Sequence, residues 1–227
     1  MRRIVFEKVN NMRDLGGYLT KDKKETKYFR FIRSNITKDV TIEEEQYLLD
    51  NNIKTIIDLR NDDELLRKPN KLNNDKFKYY HVSLLGDKCP LFEEDIPIGY
   101  MNILNNKETM KEVFEIMANS NYGVLFNCSA GKDRTGVVAM LLMLLANCYE
   151  DDILADYSVS YIYLREEIRK MHKDNPDLPA FLGQSKFEYM EDVLEMFKEK
   201  YHDINNYMNY LGITLEKVKI IRNKLLD

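Results

Sequence analysis

Apolar and polar positions along the chain follow two rhythms, and their alternation predicts the order of elements. Short apolar or alternating runs read as strands at 3–9 (RIVFEKV), 27–34 (KYFRFIRS), 53–59 (IKTIIDL), 77–84 (FKYYHVSL) and 122–128 (YGVLFNC). The isoleucine-rich run at 53–59 has the character of a strand buried on both faces. Between these runs the spacing turns helical. Segment 41–52 opens on Thr41 as an N-cap, with Glu44 completing a capping box. Segment 62–68 predicts a short helix that stops ahead of Pro69. In 106–120, Met110, Val113, Phe114 and Met117 share one face. The run 134–148 (RTGVVAMLLMLLANC) is apolar nearly all round, as in a buried helix.

The last third is helical throughout. Ile153, Tyr157, Tyr161, Leu164, Ile168 and Met171 fall at steps of three and four, as do Phe187, Met190, Leu194, Phe197 and Tyr201. A loop at 173–185 with two prolines joins these two amphipathic helices, and shorter helices are expected near 203–211 and 214–226. Loops are expected at 11–18, where Gly16 and Gly17 permit positive φ, and over most of 86–99, which holds Gly86, Pro90, Pro97 and Gly99. Strands separated by helices predict an α/β fold with a largely parallel central sheet flanked by helices. The 227 residues suit one domain, and no linker divides them.

Composition narrows the function. Apolar residues at 44% supply a core, and a net charge of −4 argues against a nucleic-acid partner, so any anion site must be a local cluster of cations. The three cysteines, Cys89, Cys128 and Cys148, form no CxxC pair, and their odd number fits neither a disulfide scaffold nor a zinc site. The N-terminus lacks an apolar core of signal-peptide length. The longest apolar run, 137–146, is too short for a bilayer, where about 20 residues are needed. A soluble cytoplasmic protein is expected; export by a signal-independent route remains compatible with the sequence. His81, His172 and His202 are scattered and predict no metal site. The pattern specifies no oligomeric state.

One stretch carries chemistry: NCSAGKDRTG, 127–136, between a strand and a buried helix. The first turn of a helix leaves amide N–H groups unpaired, and its dipole favours an anion there. The small residues Ser129, Ala130 and Gly131 let the loop curl so that its amides converge. Cys128 would sit at the base of that cup, where amides and nearby cations favour its thiolate and make it a nucleophile near neutral pH. Arg134 can grip two phosphate oxygens at once, and charge developing on them in a transition state would meet donors already in place. Thr135 can bond the thiolate or the loop, and Gly136 permits close packing at the helix start. The bland alternative for Cys128 is a buried structural thiol, the expected state of Cys89 and Cys148. A Walker A reading fails on spacing, because no glycine lies five positions before Gly131 and Lys132 is followed by Asp133.

The stretch resembles the signature H-C-x5-R-[ST] of cysteine-dependent phosphatases. It is most similar to the bacterial tyrosine/serine phosphatase family with triple-specificity, lipid-phosphatase-like activity. NMRDLGGY (11–18), FIRSN (31–35), IIDLRNDDE (56–64) and DYSVS (156–160) resemble further segments of that family, so the likeness spans most of the chain. It departs in having Asn127 where the family has histidine. Asparagine can donate a hydrogen bond to hold the loop but supplies no cation.

The resemblance implies a metal-independent and cofactor-free phosphomonoester hydrolase with a phosphocysteine intermediate. Its substrates would be phosphotyrosine, phosphoserine or phosphothreonine proteins, and phosphoinositides. It implies Cys128 as nucleophile, Arg134 as charge stabiliser and Asp133 as acid; an aspartate near a helix start is favoured there in any case. Residues 129–135, Lys132 among them, would contact phosphate. Asp58, Asp87 and Asp95 are weaker candidates for the acid, and Asp58 is expected to orient the loop cations. Arg13 and Asp14 are expected to buttress the loop or pocket rim, and Arg60 to form structural ion pairs. The helices of about 150–200 resemble the family's lid. Two other classes remain open: a phosphate-binding module with little turnover, and an arsenate reductase or sulfurtransferase. For the reductase, Cys148 would lie about 20 Å from Cys128 at 1.5 Å per residue.

Overall fold

The computed structural model describes residues 2–84 and 90–226. The two-residue β1 (Arg13–Asp14) pairs antiparallel with β2 (Phe31–Ser34) at the sheet edge. After α1 (Ile42–Asp50) come β3 (Ile53–Asp58), α2 (Asp62–Arg67) and β4 (Lys78–His81). Then α3 (Asp95–Asn105) and α4 (Lys107–Asn119) lead to β5 (Gly123–Asn127) and α5 (Asp133–Leu145). The remainder is α6 (Glu150–Asp174), α7 (Phe187–Tyr201), α8 (Ile204–Leu211) and α9 (Leu215–Leu226).

The sheet order is β1-β2-β5-β3-β4, with β2, β5, β3 and β4 parallel. Alternation along the strands sorts side chains into two cores. Phe31, Ile57, Val124 and Phe126 face the larger one, shared with α3, α4, α5 and the C-terminal helices. Ile32, Ile56 and Leu125 face a smaller one, closed by Phe6, Val9, Met12, Val40, Leu48 and Leu72. With both faces covered, β5 is buried along its whole length. Helix α5 is buried from Thr135 through Met143, as its all-round apolar pattern requires. Among the described residues no helix is long and apolar enough to cross a membrane.

The register places the site. Ser34 of β2 and Asp58 of β3 both lie level with Asn127 of β5. The last strand in sequence is inserted between two earlier ones, so the loop after it opens at the carboxyl ends of three parallel strands. Ligands of open α/β sheets bind in such crevices.

Most expected elements form within a few residues of their predicted bounds, and both capping boxes that start α1 and α2, Thr41–Glu44 and Asn61–Glu64, are made. Two expectations are corrected. The strand at 3–9 is reduced to a single bridge between Arg3 and Arg13, because its alternation serves to bury Ile4, Phe6 and Val9 as an edge segment. The loop expected over 86–99 ends early, since α3 begins at Asp95. Pro97 stands in the first helical turn, where a missing N–H costs no hydrogen bond. Cys89 and Asp87 lie outside the described residues.

Candidate active site

The loop from Cys128 to Lys132 runs from β5 into α5, and its carbonyls are captured from behind. The Ile36 amide donates to Ser129 O at 3.2 Å. Asn11 Nδ2 donates to Ala130 O at 3.0 Å and to Gly131 O at 3.1 Å. Arg33 Nη2 donates to Gly131 O at 2.8 Å and to Lys132 O at 3.4 Å. A peptide whose carbonyl is drawn outward turns its N–H the other way, so this pattern favours amides facing the concave side. Gly131 is required at the bend. Its φ is +67°, and a Cβ there would lie 2.5 Å from Ser34 O and Asn35 N.

Asn11 and Arg33 are themselves held by a buried charge cluster. Arg13 donates through Nη1 to Asn11 Oδ1 (2.6 Å), through Nε to Asp156 Oδ1 (2.7 Å) and through Nη2 to Ser160 Oγ (3.0 Å). Arg33 Nη1 also bonds Asp156 Oδ2. Burial alone would push Asp156 up, but the two guanidiniums hold its carboxyl well below the usual range. Since Asp156 belongs to α6, this cluster ties that helix to the back of the loop. Arg13 therefore acts on the loop through Asn11. Asp14 does not buttress it: its carboxylate accepts from the amides of Gly16 (2.8 Å) and Phe29 (2.7 Å), and burial pushes its pKa up to about 6 against those two bonds.

Arg134, in the first turn of α5, is gripped end-on. Its Nη1 and Nη2 donate to Glu64 Oε2 (2.6 Å) and Oε1 (2.8 Å), and Ser129 Oγ donates to Oε1 at 2.6 Å. Burial would raise the Glu64 carboxyl, yet the Arg134 and Ser129 bonds bring its pKa down to about 2. Arg134 stays charged: burial opposes the charge, and Glu64, Cys128 and Asp133 outweigh it. Of the five guanidinium N–H groups, Glu64 takes two and Leu59 O takes one at 3.4 Å. No described residue takes the Nε–H or the second Nη2–H, and together these form the side edge that fits two oxygens of an oxyanion.

Asp58 does not orient the loop cations. Arg60 Nε and Nη2 donate to its two oxygens at 2.8 and 2.7 Å, and Asn70 Nδ2 and Tyr79 OH add bonds at 2.8 and 3.0 Å. Two residues from Arg60, its carboxylate meets that guanidinium before any in the loop. Arg60 is thus in a structural ion pair. Asn70 Nδ2 reaches on to Asn127 Oδ1 at 3.3 Å, whereas Asn127 Nδ2 is buried without a partner among the described residues, as is Thr135 Oγ1. Asn127 is held by the network behind the loop and donates nothing to the loop. Cys128 is 1% exposed and directly follows Asn127, which lies level with the ends of β2 and β3.

Asp133 opens α5. Its Oδ1 accepts from Tyr100 OH, and Lys132 Nζ lies 3.3 Å from the same oxygen. Lys132 Nζ also donates to Gln184 O at 2.8 Å, in the segment between α6 and α7. Asp95 opens α3 and accepts from the Phe92 amide at 3.1 Å. Sequence reasoning missed Glu64, Asn11, Arg33, Tyr100, Tyr157 and Asp156 as neighbours of the site. Glu64 carried a signal, the capping box NDDE directly after a strand, which fixes where its carboxylate stands. Tyr100 carried none, because its helix lay within a segment marked by proline and glycine.

The sequence model of the tyrosine phosphatase family matches residues 4–227. A tyrosine-protein phosphatase of Nostoc commune is 28% identical over 194 residues, which cover 76% of this chain and 66% of that protein. Among solved structures, the crystal structure of P. aeruginosa TpbA aligns over 93% of this chain and 96% of that one, with 12% identity and a TM-score of 0.44. A TpbA variant in complex with pTyr aligns over 84% and 91%, with 12% identity and a TM-score of 0.40.

Proposed function

Since the chain belongs to the tyrosine phosphatase family, we propose that it hydrolyses phosphomonoesters, phosphotyrosine first among them, through a phosphocysteine intermediate. The observation that supports this reading is the capture of the carbonyls of residues 129–132, combined with an Arg134 side edge that no described residue occupies and a charge that interacts with Cys128. Such donors suit the oxygens of a phosphate whose phosphorus the Cys128 sulfur attacks.

In the first step the Cys128 thiolate attacks phosphorus. The P–S bond forms as the P–O bond to the leaving group breaks, and Asp133 gives that oxygen its proton. In the second step water attacks phosphorus, Asp133 takes the water's proton, and the thiolate leaves. Loop amides and Arg134 hold the equatorial oxygens throughout, and Glu64 keeps the guanidinium in register. Lys132 extends the reading to phosphoinositides: a second cation in the loop suits a substrate carrying several phosphates, and reaching one requires it to release Gln184 O. Residues 1–227 then act as one phosphatase domain, with the helices of 150–200 as its cover.

The test is turnover by wild type and Cys128→Ser, with chelator present, on phosphotyrosine, phosphoserine and phosphothreonine peptides and phosphoinositides. Wild-type turnover that Cys128→Ser abolishes, with phosphate binding retained, is expected; turnover surviving in the variant rejects the nucleophile. The uncharged Asn127, whose Nδ2 finds no partner among the described residues, favours a second reading, a phosphate-binding module. Phosphate binding by wild type without turnover of any substrate in the panel would select it.

A further inference from the structure

Three helices meet at Asp133. Tyr100 comes from α3 and Tyr157 from α6, and their hydroxyl oxygens are 2.7 Å apart, with the rings edge to face at 6.0 Å between centroids. Tyr100 is 4% exposed and Tyr157 1%, so water has no access to replace either hydroxyl. Burial first, then the nearby Asp133 charge, pushes both phenols well above their ordinary range, so both keep their protons. Tyr100 has one proton, and it goes to Asp133 Oδ1. Its oxygen must then accept from Tyr157. The result is a one-way chain, Tyr157 to Tyr100 to Asp133. Gly136 makes room for it, since a Cβ there would lie 3.3 Å from the Tyr157 ring.

Both partners of Asp133, Tyr100 OH and Lys132 Nζ, approach Oδ1. No described residue donates a hydrogen bond to Oδ2. An oxygen that already accepts from a phenol and faces a cation is the poorer place for a proton, so a protonated Asp133 carries it on Oδ2. We propose that Tyr100, held by Tyr157, is a positioning residue that fixes which carboxyl oxygen of Asp133 carries the proton delivered to the leaving group. This rests on Asp133 as the acid of the proposed reaction.

Other polar and charged groups face this chain. Lys132 and Arg134 act on Asp133 from its own loop. Tyr189 of α7, which donates to Glu93, and Arg33 of β2 act on Tyr157. Tyr100 donates to the Asp133 carboxylate, and Lys132 lies against the same oxygen. Removing the Tyr100 hydroxyl takes away the one neutral donor on Oδ1 and frees the carboxyl group to turn.

The experiment is Tyr100→Phe, Tyr157→Phe, Asp133→Asn and the double variant Tyr100→Phe/Asp133→Asn, assayed with p-nitrophenyl phosphate and phenyl phosphate across pH. In Tyr100→Phe the loss of kcat should be about tenfold larger for phenyl phosphate, the poorer leaving group, with KM little changed. Tyr157→Phe keeps its ring in the packing and should show the same leaving-group effect in smaller size, so it carries the test if Tyr100→Phe fails to fold. In the Asp133→Asn background Tyr100→Phe should add no leaving-group effect. Equal losses on both substrates, while Asp133→Asn shows the leaving-group effect, overturn the relay alone. An Asp133→Asn variant without that effect overturns the acid, and the relay with it.

Discussion

Replacing Glu64 by glutamine keeps its size and one acceptor oxygen but removes the charge that Arg134 grips. Four donors converge on that carboxylate: Arg134 twice, Ser129 Oγ, and the Asn61 amide at 2.9 Å. Its pKa falls from 4.5 to about 2, a difference of about 2.5 units. At 1.36 kcal/mol per unit this corresponds to about 3 kcal/mol of coupling. The Glu64 and Arg134 side chains are 19% and 16% exposed, so solvent discounts this figure only in part. Because the folded-state pKa is depressed, the stabilisation is fully present above 4.5 and is lost as pH falls toward 2. Urea denaturation of wild type and Glu64→Gln at a series of pH values reads this directly. The variant should be less stable by about 2–3 kcal/mol at pH 7, and the gap should close as pH falls below 4.5. Its kcat/KM should fall by about a hundredfold, because Arg134 loses its register. A gap independent of pH, or none at pH 7, refutes the idea that this ion pair sets the arginine.

Asn11→Ala frees two loop carbonyls and should weaken phosphate binding about tenfold with the fold intact, read by calorimetry and circular dichroism. Gly131→Ala forces a side chain to positive φ against the Ser34 backbone; it should cost about 1–3 kcal/mol in denaturation and abolish phosphate binding. Leu141→Ala opens a cavity in the buried helix α5 and should cost about 2–5 kcal/mol. Cys148, whose pKa burial pushes up to about 12, should resist alkylation at pH 8 until the protein unfolds, as peptide mass mapping would show.

The fold was legible where one physical demand dominated the residues. The runs 53–59 and 122–128 read as strands because both faces are buried, and 134–148 read as a helix because nearly all sides are. It was misread at 3–9, where alternation reports burial of one face and says nothing of whether a neighbour exists to pair with. The start of α3 was hidden by Pro97 and Gly99, whose meaning depends on where the first turn falls. Within the site, the loop announced itself through local chemistry: small residues, then a cation, then a helix. Its supports did not, because Asn11 and Arg33 meet it across 98 to 120 positions of sequence, and Asp156 acts on it only through Arg13 and Arg33. Asp58 was misassigned for the opposite reason: its near neighbour Arg60 satisfies it before the loop can.

The most direct measurement of the central claim is the covalent state of Cys128 during turnover. Quenching wild-type protein in acid a short time after mixing with an aryl phosphate, then mapping peptides by mass spectrometry, should place a phosphoryl group on the peptide containing Cys128. Cys128→Ser should show no phosphorylated peptide. Turnover with the phosphoryl group on a different residue, or on none at any quench time, contradicts the account.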